Sequence, residues 1–208
     1  MNILRGAWRV KARIKKLYDS SRYCYLELYR GKQIAKYDRI IDSIRNLRFK
    51  VILDAGCGPG FYVEKLSKIA DLYIGLDICR GMLDIAKDMH KHISNVEFIV
   101  GDADYPPFKD GSFDIVLAVT LLQNQPDPRL TISKLARLVK DDGILATTFL
   151  KKMFNLKDVL RIMESSTNLT PIYIDDSTED YIVVCKVGDM ESKQGDRKVD
   201  VPSISWMR

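Results

Sequence analysis

Three acidic residues stand where apolar runs of the chain end, and each could accept hydrogen bonds from a bound molecule. The acids and the runs before them are Asp54 after residues 51–53, Asp77 after residues 72–76, and Asp102 after residues 96–100. A carboxylate can accept from both hydroxyls of a ribose or from an exocyclic amine. Acids at three successive strand ends are hard to explain by packing, so we expect a ligand at this edge.

Closely spaced glycines follow the first of these acids, at Gly56, Gly58 and Gly60. Apolar residues at helical spacing come next, over residues 61–69, so the turn is predicted to join a buried parallel strand to a helix N-terminus. Glycine lets the backbone approach a ligand, and a helix N-terminus favours an anionic group. The same glycine spacing also occurs in ordinary strand-to-helix turns, so the prediction depends on the later acids.

The remaining chain alternates predicted strands and helices. The predicted elements are a strand at 114–119, a helix at 128–139 ended by a turn at 141–143, a strand at 144–150, a helix at 155–164, and a hairpin of 171–174 with 181–187. Such alternation indicates an α/β fold with a mostly parallel sheet. Ligands of open parallel sheets bind beyond the carboxyl ends of the strands, which is where the acids lie.

Taken together, these motifs resemble those of the class I S-adenosylmethionine-dependent methyltransferases. The segments that carry the resemblance are 54–60, 77–83, 101–103 and 107–114, and the likeness covers about residues 48 to 186. It implies a doubly wound, mostly parallel seven-stranded sheet. We divide the chain into a basic helical N-terminal extension at 1–47, a methyltransferase domain at 48–187 and a polar tail at 188–208.

The resemblance implies S-adenosyl-L-methionine as cofactor and gives roles to individual residues. Asp77 would bind the ribose hydroxyls, Asp102 the adenine amino group, and Ile78 and Met82 the adenine faces, while Gly56 to Gly60 would take the methionine part. A helix before the core would bring Tyr29, Gln33 or Tyr37 near the donor. The other predicted cofactor-binding residues are Asp54, Cys57, Ala103, Thr120 and Tyr37. The glycine run lacks the third glycine of the dinucleotide motif, which argues against a nicotinamide enzyme.

The loop that leaves the fourth strand is the predicted reacting loop, and Asn124 and Pro126 are its candidate catalytic residues. Amino-directed nucleic-acid methyltransferases place Asn or Asp, two prolines and an aromatic residue there. This loop only partly resembles that pattern, because the aromatic residue and one proline are missing. The alternative is a plain turn into the next helix. Methyl transfer from a sulfonium needs positioning and no metal, so no metal site is expected.

Positive charge is concentrated at the beginning of the chain. Residues 1–50 contain 14 Lys or Arg and four Asp or Glu, whereas residues 51–208 contain 19 and 24. This asymmetry indicates a polyanionic partner, and Trp8 could stack on an unpaired base. We therefore expect the N-terminal segment to bind RNA. A solvated basic tail and a mitochondrial targeting segment are the alternatives for residues 1–16.

Several further expectations concern structure and location. Helical spacing over residues 19–48 predicts two helices separated by Gly31. His90 and His92 are predicted to lie on the surface, and the four scattered cysteines to pack as small apolar residues. No apolar run is long enough to span a membrane or to form a signal core, so we expect a cytoplasmic protein.

These observations lead to one main hypothesis and two alternatives. The main hypothesis is a methyltransferase that acts on a base amino nitrogen in ribosomal or transfer RNA. The first alternative is a methyltransferase of small molecules, of the quinone or metabolite type. The second is a cofactor-binding accessory subunit that activates a partner.

Overall fold

The computed structural model describes residues 2–45 and 47–187, with backbone alone for residues 2–5 and 21–25. The predicted tail, residues 188–208, lies outside this part of the chain. The helices are α1 (Asn2–Ser43), α2 (Val63–Leu66), α3 (Arg80–His90), α4 (Pro128–Ala136) and α5 (Leu156–Ser166), with a 3₁₀ turn at Leu122–Asn124. The strands are β1 (Phe49–Ala55), β2 (Ala70–Asp77), β3 (Val96–Val100), β4 (Phe113–Ala118), β5 (Val139–Leu150), β6 (Leu169–Asp175) and β7 (Asp180–Val187).

The seven strands form one sheet in the order β3-β2-β1-β4-β5-β7-β6. Strands β1 to β5 run parallel to one another, and β7 pairs antiparallel with β5 and β6. Strand order reverses between β1 and β4, so the carboxyl ends of these two strands form the edge where open α/β sheets bind ligands. The predicted sheet and its closing hairpin are confirmed.

Both faces of the sheet are buried, which explains why its strands appear in the sequence as continuous apolar runs. Along β1, Leu53 packs into the core under α4 and α5, while Ile52 packs into the core that includes the C-terminal half of α1. On β4, Val116 packs into the same core as Leu53, and Ile115 packs into the same core as Ile52. Adjacent residues of a strand point to opposite faces, so an unbroken apolar run builds two cores at once.

Helix α1 is continuous over 42 residues, so the predicted break at Gly31 is wrong. A glycine inside a helix costs only about 1 kcal/mol. Helix α1 is held by the buried Lys11 well before Gly31 and by the buried Gln33, Lys36 and Tyr37 after it. The segment 2–16 is part of the same helix, and Lys11 within it is buried. In the described ranges, no helix combines the length and the apolar character that crossing a bilayer requires.

Two predicted boundaries and one predicted surface residue are also wrong. The helix expected over 61–69 is only the single turn of α2, because residues 59–62 form turns instead. The turn expected at 141–143 lies within β5, where three extra residues opposite β4 form a bulge and Asp142 has a φ of 63°. His90 is buried, and its Nε2 lies 2.8 Å from the carbonyl oxygen of Gly60. That contact ties the end of α3 to the glycine turn.

Candidate functional site

A cleft opens beyond the carboxyl ends of β1, β2 and β4, with α1 along one side, and the space in it, including its open mouth, is about 900 Å³. We call it the central cleft. Its walls come from α1, the glycine turn, the ends of β2 and β3, and the loop after β4. The lining residues are Lys11, Ile14, Tyr18, Gln33, Tyr37, Gly56, Cys57, Gly58, Pro59, Phe61, Leu76, Asp77, Ile78, Cys79, Met82, Gly101, Asp102, Ala103, Val119, Thr120, Leu121, Asn124 and Gln125.

The glycine turn forms the floor of the central cleft through backbone conformations that favour glycine. Gly56 has a φ of 76°, and a Cβ there would lie 2.9 Å from Leu121 Cδ1. The turn is held to β2, since the amide of Gly56 donates to the carbonyl of Leu76 at 2.7 Å. A side chain at Gly56 would strain the backbone and push the reacting loop away, so this position explains why the turn needs glycine.

Asp77 is positioned by two backbone amides at the end of β2. Its Oδ2 accepts from the amide of Gly58 at 2.9 Å and its Oδ1 accepts from the amide of Cys79 at 2.7 Å. Burial raises the pKa of this carboxyl, and the two amides act in the opposite direction. Each oxygen keeps a lone pair for a further donor. The side chain therefore suits a vicinal diol, as the resemblance implies for a ribose.

Asp102 presents a buried acceptor at the other end of the central cleft. Its Oδ1 is bound by Lys11 Nζ and by the amide of Asp104, whereas its Oδ2 has no hydrogen-bond partner among the described residues. A buried carboxylate oxygen without a donor is costly, so a ligand donor is expected there. An adenine amino group is such a donor. The cleft therefore fits the adenosine part of S-adenosylmethionine.

The loop after β4 enters the central cleft through a strained residue. Thr120 has a φ of 57°, which is rare for a β-branched side chain and marks a position held by its surroundings. Its amide donates to Thr148 Oγ1 at 2.8 Å, and its hydroxyl donates to Gln33 Oε1 at 2.9 Å. Asn124 follows on the 3₁₀ turn, and its Nδ2 donates to the Tyr18 hydroxyl at 3.0 Å.

The structure places most predicted site residues together and separates four from them. Those that line the central cleft are Tyr37, Gly56, Cys57, Gly58, Asp77, Ile78, Met82, Asp102, Ala103, Thr120 and Asn124. Asp54 lies beneath the floor, Gly60 lies behind it against His90, and Pro126 is exposed where the loop turns toward α4. Tyr29 is also exposed and outside the lining.

Sequence reasoning missed the contribution of the first half of α1. Lys11, Ile14 and Tyr18 line the central cleft, and their spacing of three and four residues places them on one helical face. This spacing was a usable signal, but it lies in a segment whose many cations pointed to an exposed tail. Further along α1, Lys36 Nζ lies 3.0 Å from Asp180 Oδ2 and donates to Thr120 Oγ1 at 3.0 Å. These buried contacts fasten α1 over the site.

Asp54 supports the site from below. Its carboxylate accepts hydrogen bonds from the hydroxyls of Tyr37, at 2.8 and 2.9 Å, and of Tyr73, at 2.9 Å. Burial raises the pKa of Asp54 to about 7, despite the two hydroxyl donors. The Tyr37 ring stacks on Tyr62, with centroids 4.9 Å apart. Asp54 therefore holds the cleft-lining Tyr37 in place from a position outside the cleft lining.

The raised pKa of Asp54 predicts a measurable pH dependence of stability. Between about pH 4 and pH 7 the folded chain binds this proton more tightly than the unfolded chain, so the Asp54 contribution falls as pH rises and levels off above pH 7. The loss is at most a few kcal/mol. Urea unfolding at pH 5 and pH 8 should show a larger loss of stability for the wild type than for Asp54→Asn. Parallel pH profiles for the two proteins would contradict the raised pKa, and Asp71→Asn, exposed on β2, is the control.

The cysteines near the central cleft are poor nucleophiles. Burial raises the pKa of Cys57 well above its usual value, and burial together with Asp19 raises the pKa of Cys79 to about 12. Cys185 is also buried, with a pKa of about 12. All three thiols stay protonated at neutral pH, so none suits covalent catalysis. The side chain of Cys24 lies outside the described part.

Comparison with protein families gives a match for the segment that supplies the walls of the central cleft other than α1. Residues 53–147 match the methyltransferase domain family. A demethylmenaquinone methyltransferase from Staphylococcus haemolyticus is 34% identical over 130 residues, which are 53% of this chain and 54% of that protein. The chain spans about half the length of the curated relatives that it matches.

Two solved structures share the fold. The magnesium protoporphyrin IX methyltransferase of Synechocystis PCC 6803, solved with bound S-adenosylmethionine, has a TM-score of 0.70 and 20% identity, and the match covers 86% of this chain and 97% of that one. A chain from the complex of the Haloferax volcanii Trm112 methyltransferase activator with its methyltransferase has a TM-score of 0.72 and 15% identity, with 83% and 96% covered. At these identities the likeness shows the fold.

Proposed function

We propose that this chain, which carries a class I S-adenosylmethionine-dependent methyltransferase domain, methylates an exocyclic amino nitrogen of an RNA base. The proposal rests on the position of Asn124. It stands in the central cleft, beside the loop residue Thr120, where an acceptor must approach the donor. The excess of positive charge on α1 supports RNA, a polyanion, as the substrate.

The cofactor fits the central cleft through residues at both ends. Asp102 Oδ2 would accept from the adenine amino group, and the two oxygens of Asp77 would accept from the ribose hydroxyls. Ile78 and Met82 supply apolar contact for the adenine ring, and the glycine turn leaves room for the amino-acid end. When bound, S-adenosylmethionine supplies a methyl group on a positively charged sulfur. The chain's own residues then have to aim the acceptor.

Asn124 is fixed in a way that leaves one acceptor available. Its Nδ2 donates to the Tyr18 hydroxyl at 3.0 Å and to the carbonyl of Thr120 at 3.4 Å. Its Oδ1 accepts no hydrogen bond from the described residues. We infer that Oδ1 accepts one N–H of the amino group and thereby orients the nitrogen lone pair toward the methyl group. Transfer forms the N–CH₃ bond as the S–CH₃ bond breaks, and the second N–H proton passes to water.

Tyr18 positions Asn124 and takes no proton. Burial raises the pKa of its hydroxyl, and the nearby carboxylate of Asp77 acts in the same direction. The hydroxyl therefore stays neutral at physiological pH. A neutral hydroxyl that accepts from Nδ2 holds the amide plane without placing a charge beside the acceptor. This arrangement suits a mechanism in which positioning supplies most of the rate.

Replacing Asn124 by Ala should slow the chemical step more than it weakens donor binding. The contact with the amino group strengthens as charge develops in the transition state, so the single-turnover rate is expected to fall about 10- to 100-fold. Rapid-quench assays on RNA measure this rate, and calorimetry with S-adenosylhomocysteine measures donor affinity. The matched control is Gln123→Ala, in the same 3₁₀ turn but outside the cleft lining. A wild-type rate in Asn124→Ala would show that the loop only turns the chain.

The outer face of α1 offers a surface for the RNA chain. Arg9, Arg13 and Lys16 are exposed, and their spacing places them within one side of the helix, away from Lys11 and Tyr18. None of the three forms an ion pair with a described residue. Trp8, 60% exposed, lies at the edge of this basic face. This combination suits single-stranded RNA, because the cations can pair with its phosphates and the aromatic ring can stack on an unpaired base.

A small-molecule acceptor is the second candidate. Ile14, Tyr18 and Tyr37 give the α1 side of the central cleft a largely apolar surface, and the Staphylococcus haemolyticus relative is named for a quinone substrate. Such a wall would also accept the face of an extruded base. Turnover on a quinone precursor in the absence of RNA would favour the small-molecule function.

A further inference from the structure

A buried cation from α1 reaches the acidic end of the central cleft. The Lys11 side chain is 5% exposed, and its Nζ lies 2.5 Å from Asp102 Oδ1 and 2.5 Å from Asp104 Oδ2. Thr131 Oγ1 donates to the other oxygen of Asp104 at 2.5 Å. These contacts connect α1, the turn after β3 and α4, three elements that are far apart in the sequence.

The network leaves Asp102 with one occupied and one unoccupied oxygen. Oδ1 accepts from Lys11 and from the amide of Asp104, at 3.0 Å for the amide, which uses both of its lone pairs. Oδ2 is buried and has no partner among the described residues. A carboxylate fastened through one oxygen can present the other in only one direction. That oxygen lies in the part of the cleft assigned to adenine.

Charge makes Lys11 necessary for this arrangement. Asp102 and Asp104 are 14% and 5% exposed, so without a cation two carboxylates would share a poorly solvated site. Removing one partner of a buried ion pair is strongly unfavourable, since the other charges stay behind uncompensated. Asp102 would then turn toward water or toward another donor, and its fixed direction would be lost.

We propose that Lys11 is a positioning residue of the donor site, which fixes Asp102 so that its Oδ2 recognises the adenine amino group. The inference rests on the assignment of S-adenosylmethionine to the central cleft made above, and it does not depend on which molecule accepts the methyl group. It follows that the first half of α1 is part of the adenine site. Donor binding and docking of α1 are then coupled, and by reciprocity each strengthens the other.

The experiment compares two ligands that differ at the recognised group. S-adenosylhomocysteine carries the amino group, and S-inosylhomocysteine carries a carbonyl oxygen in its place. Calorimetry should show that the wild type prefers the adenosine compound by at least about tenfold, because a carbonyl oxygen cannot donate to Asp102. In Lys11→Met this ratio should fall toward one, and Lys11→Arg should restore it. Arg30→Met, which removes an exposed cation further along α1, should keep the wild-type ratio.

A second variant separates positioning from simple docking of the helix. Lys36→Met removes a different buried anchor of α1 and leaves Asp102 untouched, so it should weaken both ligands and keep their ratio. Hydrogen exchange of residues 6–20 gives an independent readout, in which S-adenosylhomocysteine slows exchange in the wild type and has little effect in Lys11→Met. If Lys11→Met does not fold, Lys11→Gln, which fills similar space without the charge, takes its place.

Three results would overturn the proposal. They are a wild-type ratio near one, an unchanged ratio in folded Lys11→Met or Lys11→Gln, and a ratio lost equally in Lys36→Met. RNA is absent from all of these measurements, so their outcome does not depend on whether RNA is the methyl acceptor. Failure of S-adenosylhomocysteine to bind the wild type would instead remove the donor assignment itself.

Discussion

Asp77→Ala is expected to lower the affinity for S-adenosylhomocysteine about 30- to 100-fold, or about 2 to 3 kcal/mol. The carboxylate does two things at once, because it would accept from the ribose hydroxyls and it already accepts from the amides of Gly58 and Cys79. Alanine removes both, so the glycine turn loses its anchor and two amides lose their acceptor. Calorimetry with folded protein measures the change.

The matched control for this prediction is Asp71→Ala. Asp71 lies on the same strand, β2, at its opposite end, and its side chain is 68% exposed, so its loss should leave the affinity unchanged. Asp77→Asn keeps the shape of the side chain and removes the charge, and we expect an intermediate affinity. Wild-type affinity in Asp77→Ala would move the ribose site away from the end of β2.

Reversing three charges on the outer face of α1 should reduce RNA affinity by one to two orders of magnitude at low salt. The variant is Arg9→Glu, Arg13→Glu and Lys16→Glu combined, and each loss removes a cation that can neutralise a phosphate. For single strands the logarithm of affinity changes with the logarithm of salt by about 0.7 for each phosphate neutralised, so the slope should flatten by about two. Filter binding from about 50 to 200 mM salt measures both quantities.

A control with the same change in net charge separates a local contact from general repulsion. Lys68, Lys87 and Lys91 are exposed and belong to other parts of the chain than α1, and their combined replacement by Glu should lower affinity far less and keep the salt slope. Equal losses in both triple variants would show that RNA responds to net charge alone. A wild-type slope in the α1 variant would remove this face from the proposed interface.

Much of the sheet and half of the site could be predicted because they follow local rules. A strand covered on both faces is apolar without alternation, as in β1 and β4, and its end is marked where an acid or glycine interrupts the run. Asp77 and Asp102 are such residues, and both line the central cleft. Asp54 also ends an apolar run, but it lies beneath the floor of the central cleft, where the hydroxyls of Tyr37 and Tyr73 donate hydrogen bonds to it.

The rest of the site depends on contacts between residues distant in the sequence. Lys11 meets Asp102 and Tyr18 meets Asn124, pairs separated by 91 and 106 positions. Nothing in a basic segment shows which of its cations will be buried. The prediction at Gly31 was wrong for the opposite reason. A glycine that often ends a helix is tolerated here, because the buried side chains of Lys36 and Tyr37 hold the following turns of α1 in place.

The most direct test of the proposed activity follows the methyl group itself. The purified protein is incubated with S-adenosylmethionine that carries a deuterated methyl group, together with RNA and a small-molecule extract from cells that lack the protein. Nucleoside digests and the extract are then analysed by mass spectrometry. We expect label in a nucleoside methylated on an exocyclic amino nitrogen, and much less of it with Asn124→Ala. Label in a quinone or another metabolite with none in RNA, or label on a base carbon or a ribose oxygen, would contradict it.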